Sequence, residues 1–261
     1  MSSNKTGSTR VFNVSDGTLT LKNGNLTSAS RLGQASGSGK IVIESGTYTS
    51  TMQVAFQALN GGKVTLNGGT IISQEGGIIA PSANGIIEVN GGVIETSDNF
   101  AIATNGNEGN NGNQITINGG HLEGNIKSAG YEAIGIYIAN NDTLTINGGE
   151  IIANGGTGIC MRAGHVTIND GTITATGVDK NGNPVADGKI GDDNRIMTGV
   201  SAIVYDEAAN YKGNIAKDMS LVINGGTITG VDKSIDPVMN EGATPIITIS
   251  GGTLTPAYPA A

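Results

Sequence analysis

The chain has 261 residues, a formal charge of −8 and 14% charged residues, with 43 glycines, one cysteine and 3% aromatics. An acidic balance excludes the basic face that nucleic-acid binding needs. No apolar run reaches the roughly 20 residues of a membrane-spanning helix, and the glycines keep no collagen period. With no tryptophan and few aromatics, a core must come from Ile, Val and Leu; the lone Cys160 has no internal disulfide partner.

Residues 1–10 read as a polar N-terminal arm without a signal peptide. From residue 11 to residue 255 the chain repeats. The clearest copies are Lys63-Val-Thr-Leu-Asn-Gly-Gly-Thr-Ile71, Gln114-Ile-Thr-Ile-Asn-Gly-Gly-His-Leu122, Thr143-Leu-Thr-Ile-Asn-Gly-Gly-Glu-Ile151 and His165-Val-Thr-Ile-Asn-Asp-Gly-Thr-Ile173. The marker position before the glycines falls at Lys22, Glu44, Asn67, Asn90, Asn118, Asn147, Asn169, Asn224 and Ser250, giving spacings of 22, 23, 23, 28, 29, 22, 55 and 26. A base period of 22 to 23 residues is one coil of a three-sided parallel β-helix, and shorter than ankyrin or tetratricopeptide units.

Within each copy apolar and polar residues alternate, the signature of a strand with one buried face. The Asn-Gly-Gly that follows is turn chemistry, because glycine adopts positive φ without a Cβ clash. About 12 residues past the marker a second apolar column recurs, for example Gly77-Ile78-Ile79-Ala80, Gly135-Ile136-Tyr137-Ile138 and Gly158-Ile159-Cys160-Met161. One coil cannot bury its apolar side, whereas stacked coils can. The predicted fold is therefore all-β: a single right-handed parallel β-helix of about nine coils with loop insertions. Stacking would align Asn67, Asn90, Asn118, Asn147, Asn169 and Asn224 as a structural asparagine ladder, each amide donating to a neighbour.

Four stretches exceed the period: 104–113, 123–131, 174–198 and 206–218. Insertions in repeat proteins map to loops, where binding concentrates. Their polar and aromatic residues, Tyr131, Tyr205, Tyr211, Asp192, Asp193 and Arg195, form a candidate binding loop. The spacing of 55 residues reads as a surface excursion rather than a hidden coil, since no apolar second column follows Asn169. Asp179, Asn181, Asn183 and Asp187 place oxygen ligands at alternating positions. That pattern admits Ca²⁺, set beside a plain hairpin turning at Asn-Gly. No other cofactor is expected. Residues 256–261 form a C-terminal tail.

The outward row of the first strand in each copy reads Thr20, Val42, Thr65, Glu88, Thr116, Thr145, Thr167, Val222 and Thr248. It holds one acid and no base, whereas glycan hydrolysis needs paired carboxylates. His121 takes the exposed position after a glycine pair, equivalent to Thr70 and Glu150, and His165 begins a strand. Neither belongs to a metal-spaced motif. Cys160 reads as a small strand residue with no activating neighbour.

The Thr-Ile-Asn-Gly-Gly-(Thr/Glu/His)-Ile repeat resembles pectate-lyase-like β-helix domains of bacterial surface adhesins and the β-helical fibres and decoration proteins of phage virions. The resemblance covers nearly the whole chain. It implies a non-enzymatic structural or attachment role, with other virion or surface proteins and surface glycans as partners, homo-oligomers among the assemblies, and a virion or extracellular-surface location. The catalytic acids and bases of the lyases have no counterpart motif here. A leaderless, Met-initiated chain is expected of a virion component such as a head decoration, head fibre or tail protein; a signal peptide and sorting motif are expected of an anchored adhesin. A polysaccharide lyase or hydrolase built on 174–198 is the remaining alternative.

Overall fold

The computed structural model describes residues 9–107, 109–126, 133–185, 200–208 and 218–256, together with the backbone of 189–190 and 195–196. Three parallel sheets of 9 strands each wind into a right-handed β-helix of nine coils. Leaving aside the short pair 189–190 and 195–196, every third strand in the chain joins the same sheet. The coils span residues 10–28, 31–50, 56–73, 76–96, 100–125, 133–154, 156–176, 201–230 and 233–256.

Taking the third coil as the pattern, Phe56–Leu59 belongs to the first sheet, Lys63–Leu66 to the second and Thr70–Ser73 to the third. The segment after the glycine pair is thus a full strand, more than the single apolar residue that its sequence repeats. Register in the second sheet is exact from coil to coil: Ile41, Val64, Ile87, Ile115, Leu144, Val166 and Leu221 pair in turn. Those side chains point inward and are buried, as are Ile71, Ile94, Leu122, Ile151, Ile173 and Ile228 of the third sheet. At about 25 cal/mol per Å² of apolar surface removed from water, these rows supply the main stabilising term.

The second-sheet strand Gly164–Ile168, with His165 as its second residue, pairs directly with Met219–Ile223, so the long excursion adds no coil. Within it, Lys189–Ile190 and Arg195–Ile196 pair antiparallel. Glu123–Asn125 and Thr174–Thr176 complete third-sheet strands, so the excursions start later than the spacing suggests.

The ends differ from the middle. In the first coil Val14, Leu19, Leu21 and Leu26 are only partly buried, and in the ninth Ile249 is 52% exposed. Alternate peptide groups of a parallel strand face opposite neighbours. Ala208 N–H donates to the Val238 carbonyl (3.1 Å), which turns Val238 toward the eighth coil and Pro237 toward the open end. Thr253 N–H donates to the Gly226 carbonyl (2.8 Å), so Pro256 likewise faces the open end. Two of the three terminal strands therefore present a residue with no N–H at the exposed edge, a known means of blunting edge pairing.

Candidate functional site

The corner between the second and third sheets carries the asparagine row. Asn90 Nδ2 donates to Asn67 Oδ1 (2.8 Å), Asn118 to Asn90 (2.7 Å), Asn147 to Asn118 (2.8 Å), Asn169 to Asn147 (2.8 Å) and Asn224 to Asn169 (2.9 Å). At the N-terminal end the row closes on a carboxylate, with Asn67 Nδ2 donating to Glu44 Oε1 (3.1 Å). From Asn67 to Asn169 each amide spends one hydrogen and one oxygen on its neighbours, and Asn224 ends the row as a donor. The following glycines adopt positive φ (Gly69 83°, Gly120 93°, Gly149 90°) and pack backbone on backbone. This corner is a structural seam.

The outer face of the third sheet differs. Pairing places Val93, His121 and Glu150 in one outward row and Glu95, Glu123 and Ile152 in the next. His121 Nδ1 lies 2.7 Å from Glu150 Oε2, and its Nε2 lies 3.1 Å from Glu123 Oε2. Glu123 is held on its other side by Asn154 Nδ2 (2.9 Å), which also donates to Asn125 Oδ1 (2.9 Å). Lys180 Nζ approaches Glu95 at 3.9 Å. Burial works against a charged imidazole, but the two carboxylate hydrogen bonds outweigh it and raise the His121 pKa. The sequence repeat did not expose this group, because its members belong to the strand whose outward positions have no period. The signal was available in the register: Glu150 sits one coil above His121, and Glu95 and Glu123 are two residues past Val93 and His121.

On the second sheet, His165 Nδ1 lies 2.8 Å from Ser220 Oγ, and its Nε2 lies 3.5 Å from Asp218 Oδ2. The Asp218 side chain is 75% exposed. Elsewhere in that sheet Lys63 pairs with Glu88, whose carboxyl the lysine holds below the ordinary range.

The first sheet shows a further departure. Its outward residues Cys160 and Val204 are buried beside Ile134, with Phe100, Tyr137 and Val238 packed against them. Next to them, Arg162 is 3% exposed and its Nε lies 3.5 Å from Asp206 Oδ2. The Arg162 guanidinium also donates to Tyr137 Oη (3.1 Å). Cys160 is a packed core thiol.

Of the candidate loop residues, Tyr131, Tyr211, Asp192 and Asp193 lie outside the described residues, as does the Arg195 side chain. Tyr205 is a core residue rather than a surface aromatic. It is 2% exposed, and its hydroxyl donates to the Met219 carbonyl (3.1 Å). Its position in the strand Ser201–Asp206 has inward parity, in register with Met161. Among the possible oxygen ligands, Asp179 Oδ1 accepts from the backbone N–H of Asn181 (2.8 Å) and Asn183 (2.9 Å), and Asn183 Nδ2 donates to Oδ2 (2.9 Å). Val178 bridges antiparallel to Pro184, closing a tight turn around that carboxylate. Asp187 lies outside the described residues. Among the described residues no three His, Cys, Asp or Glu side chains are placed to hold a metal ion.

Comparison with protein-family models, with curated proteins and with solved structures returns no match.

Proposed function

We propose that this protein is a non-enzymatic structural and attachment body of a surface, in the first instance a phage virion component such as a head decoration, head fibre or tail protein. The observation that carries the reading is the closure of nine stacked coils by rows that satisfy themselves. The core is aliphatic, the asparagine seam spends its polar groups internally, and the second sheet's outward row is mainly threonine. Such a body is stiff because each coil is held by the coils on both sides. Its outward rows of hydroxyls and amides suit contact with neighbouring surface proteins and with glycan hydroxyls. The resemblance of the repeat to virion fibres and surface adhesins supports the same class of role.

Two measurements test it. Mass spectrometry of purified virions is expected to find the chain as a stoichiometric component, and a glycan array is expected to retain the intact protein without altering the glycans. Sustained release of reducing or unsaturated ends from a polysaccharide panel would overturn the non-enzymatic reading. Recovery only from bacterial envelopes would replace the virion by a cell-surface adhesin.

A further inference from the structure

We propose that His121 is a proton-held clamp between the fifth and sixth coils: its doubly protonated ring ties Glu123 of its own strand to Glu150 of the next coil, and loss of one proton releases Glu150. The argument is geometric. Both ring nitrogens lie within hydrogen-bond distance of carboxylate oxygens, 2.7 Å at Nδ1 and 3.1 Å at Nε2. A carboxylate can only accept, so both nitrogens must donate, and only the imidazolium carries two N–H groups. Neutral imidazole would set a lone pair against one of the two oxygens.

Which contact breaks follows from the surroundings. Glu123 is 21% exposed at its side chain and is also held by Asn154. Glu150 is 51% exposed at its side chain. The neutral ring therefore keeps its proton on Nε2 toward Glu123, and Glu150 turns to solvent. The charged groups facing His121 are Glu123 on its own strand, Glu150 on the strand above and Glu95 on the strand below, the last adjoined by Lys180. Three carboxylates thus lie on this face, and proton loss uncovers the most exposed of them. The raised His121 pKa agrees in direction. The clamp's contribution to stability is complete below the unfolded imidazole value of about 6.5 and is lost as pH rises through the folded value.

The test is nitrogen-15 NMR of the histidine rings in the full chain across pH, with His121→Gln assigning the signals. At about pH 6 both His121 nitrogens are expected to be protonated, and Glu150→Gln is expected to lower the midpoint by about one unit. Glu150 is exposed, so this variant keeps the fold, and circular dichroism checks that it does. A His121 midpoint at or below the ordinary value, a neutral tautomer at about pH 6, or an unchanged midpoint in Glu150→Gln would each overturn the clamp.

Discussion

The two corners that flank the second sheet follow opposite rules. From second to third sheet the chain turns in two or three residues in every coil, as between Leu21 and Gly24 or Leu66 and Thr70. From first to second sheet the link ranges from two residues, between Met161 and Gly164, to twelve, between Asp206 and Met219. The short corner is uniform, glycine-lined and chemically quiet. The variable corner buries polar side chains. The position just before the second-sheet strand is Gly39, Gly62 and Gly85 in the second to fourth coils, then Asn113 and Asp142 in the fifth and sixth. A shared register position can therefore demand no side chain at all, or take a buried carboxylate, according to the path of the loop before it.

That contrast gives the largest expected effect. A Cβ on Gly62 would run into the carbonyl of Ala35, which is backbone and cannot rotate away. Gly62→Ala is expected to cost about 3 kcal/mol, read as a lowered denaturant midpoint with unchanged slope. A neutral outcome would mean that this position can make room for a side chain in the third coil as it does in the sixth.

Asp142 probes the same position where a carboxylate fills it. It is 1% exposed, its Oδ1 accepts from Asn113 N–H (2.8 Å) and Nδ2 (3.0 Å), and its Oδ2 has no hydrogen-bond partner. Asp142→Ala strands the two Asn113 donors and is expected to cost about 2 kcal/mol. Burial raises the Asp142 pKa above the ordinary aspartate value of 3.8. The folded state then binds more protons than the unfolded state just above that value, so this group's contribution falls as pH rises through the window and is level beyond it. Denaturation of Asp142→Asn from about pH 4 to about pH 7 is expected to lack that slope. An identical slope in both proteins would assign the pH dependence elsewhere.

The same contrast explains what the sequence made legible. The core columns and the register are readable because Val64, Ile87 and Ile115 recur at fixed distance from a glycine turn, and stacking converts that distance directly into contact. The third-sheet strand is half-hidden, because only its inward residue, such as Ile71 or Ile94, repeats. Its outward positions change from Thr70 to Val93 to His121 to Glu150, so the histidine–carboxylate group emerges only once register is applied to each of them. Tyr205 misleads for the reverse reason: it lies near a long insertion in sequence, yet strand parity turns it inward. The candidate residues within the excursions have no period to place them, since loop paths depend on contacts that spacing does not encode.

The asparagine seam is the uniform corner's own test, with a smaller effect. Asn118 both donates to Asn90 and accepts from Asn147, so Asn118→Ala removes two bonds from the middle of the row. Those amides are exposed, and water replaces part of what is lost. A cost of about 1 kcal/mol is expected in thermal or chemical unfolding. Asn224 donates to Asn169 at the far end, and Asn224→Ala is expected to cost about half as much. Equal costs would show that the row acts as separate surface amides rather than as a connected ladder.

The smallest effect on stability is expected where the coils stop. Pro237 and Pro256 face the open side of the ninth coil, and their side chains leave the interior rows untouched. Replacing both with threonine restores two N–H donors to the terminal edge and should change unfolding free energy by no more than about 0.5 kcal/mol. The effect to look for is association, because an unblocked parallel edge is a template for a further strand. Sedimentation velocity of the double variant is expected to show concentration-dependent oligomers beyond those of the parent chain. The same distribution in both proteins would mean that the terminal prolines do not blunt this edge, and that exposed Ile246 and Ile249 alone set how the end behaves.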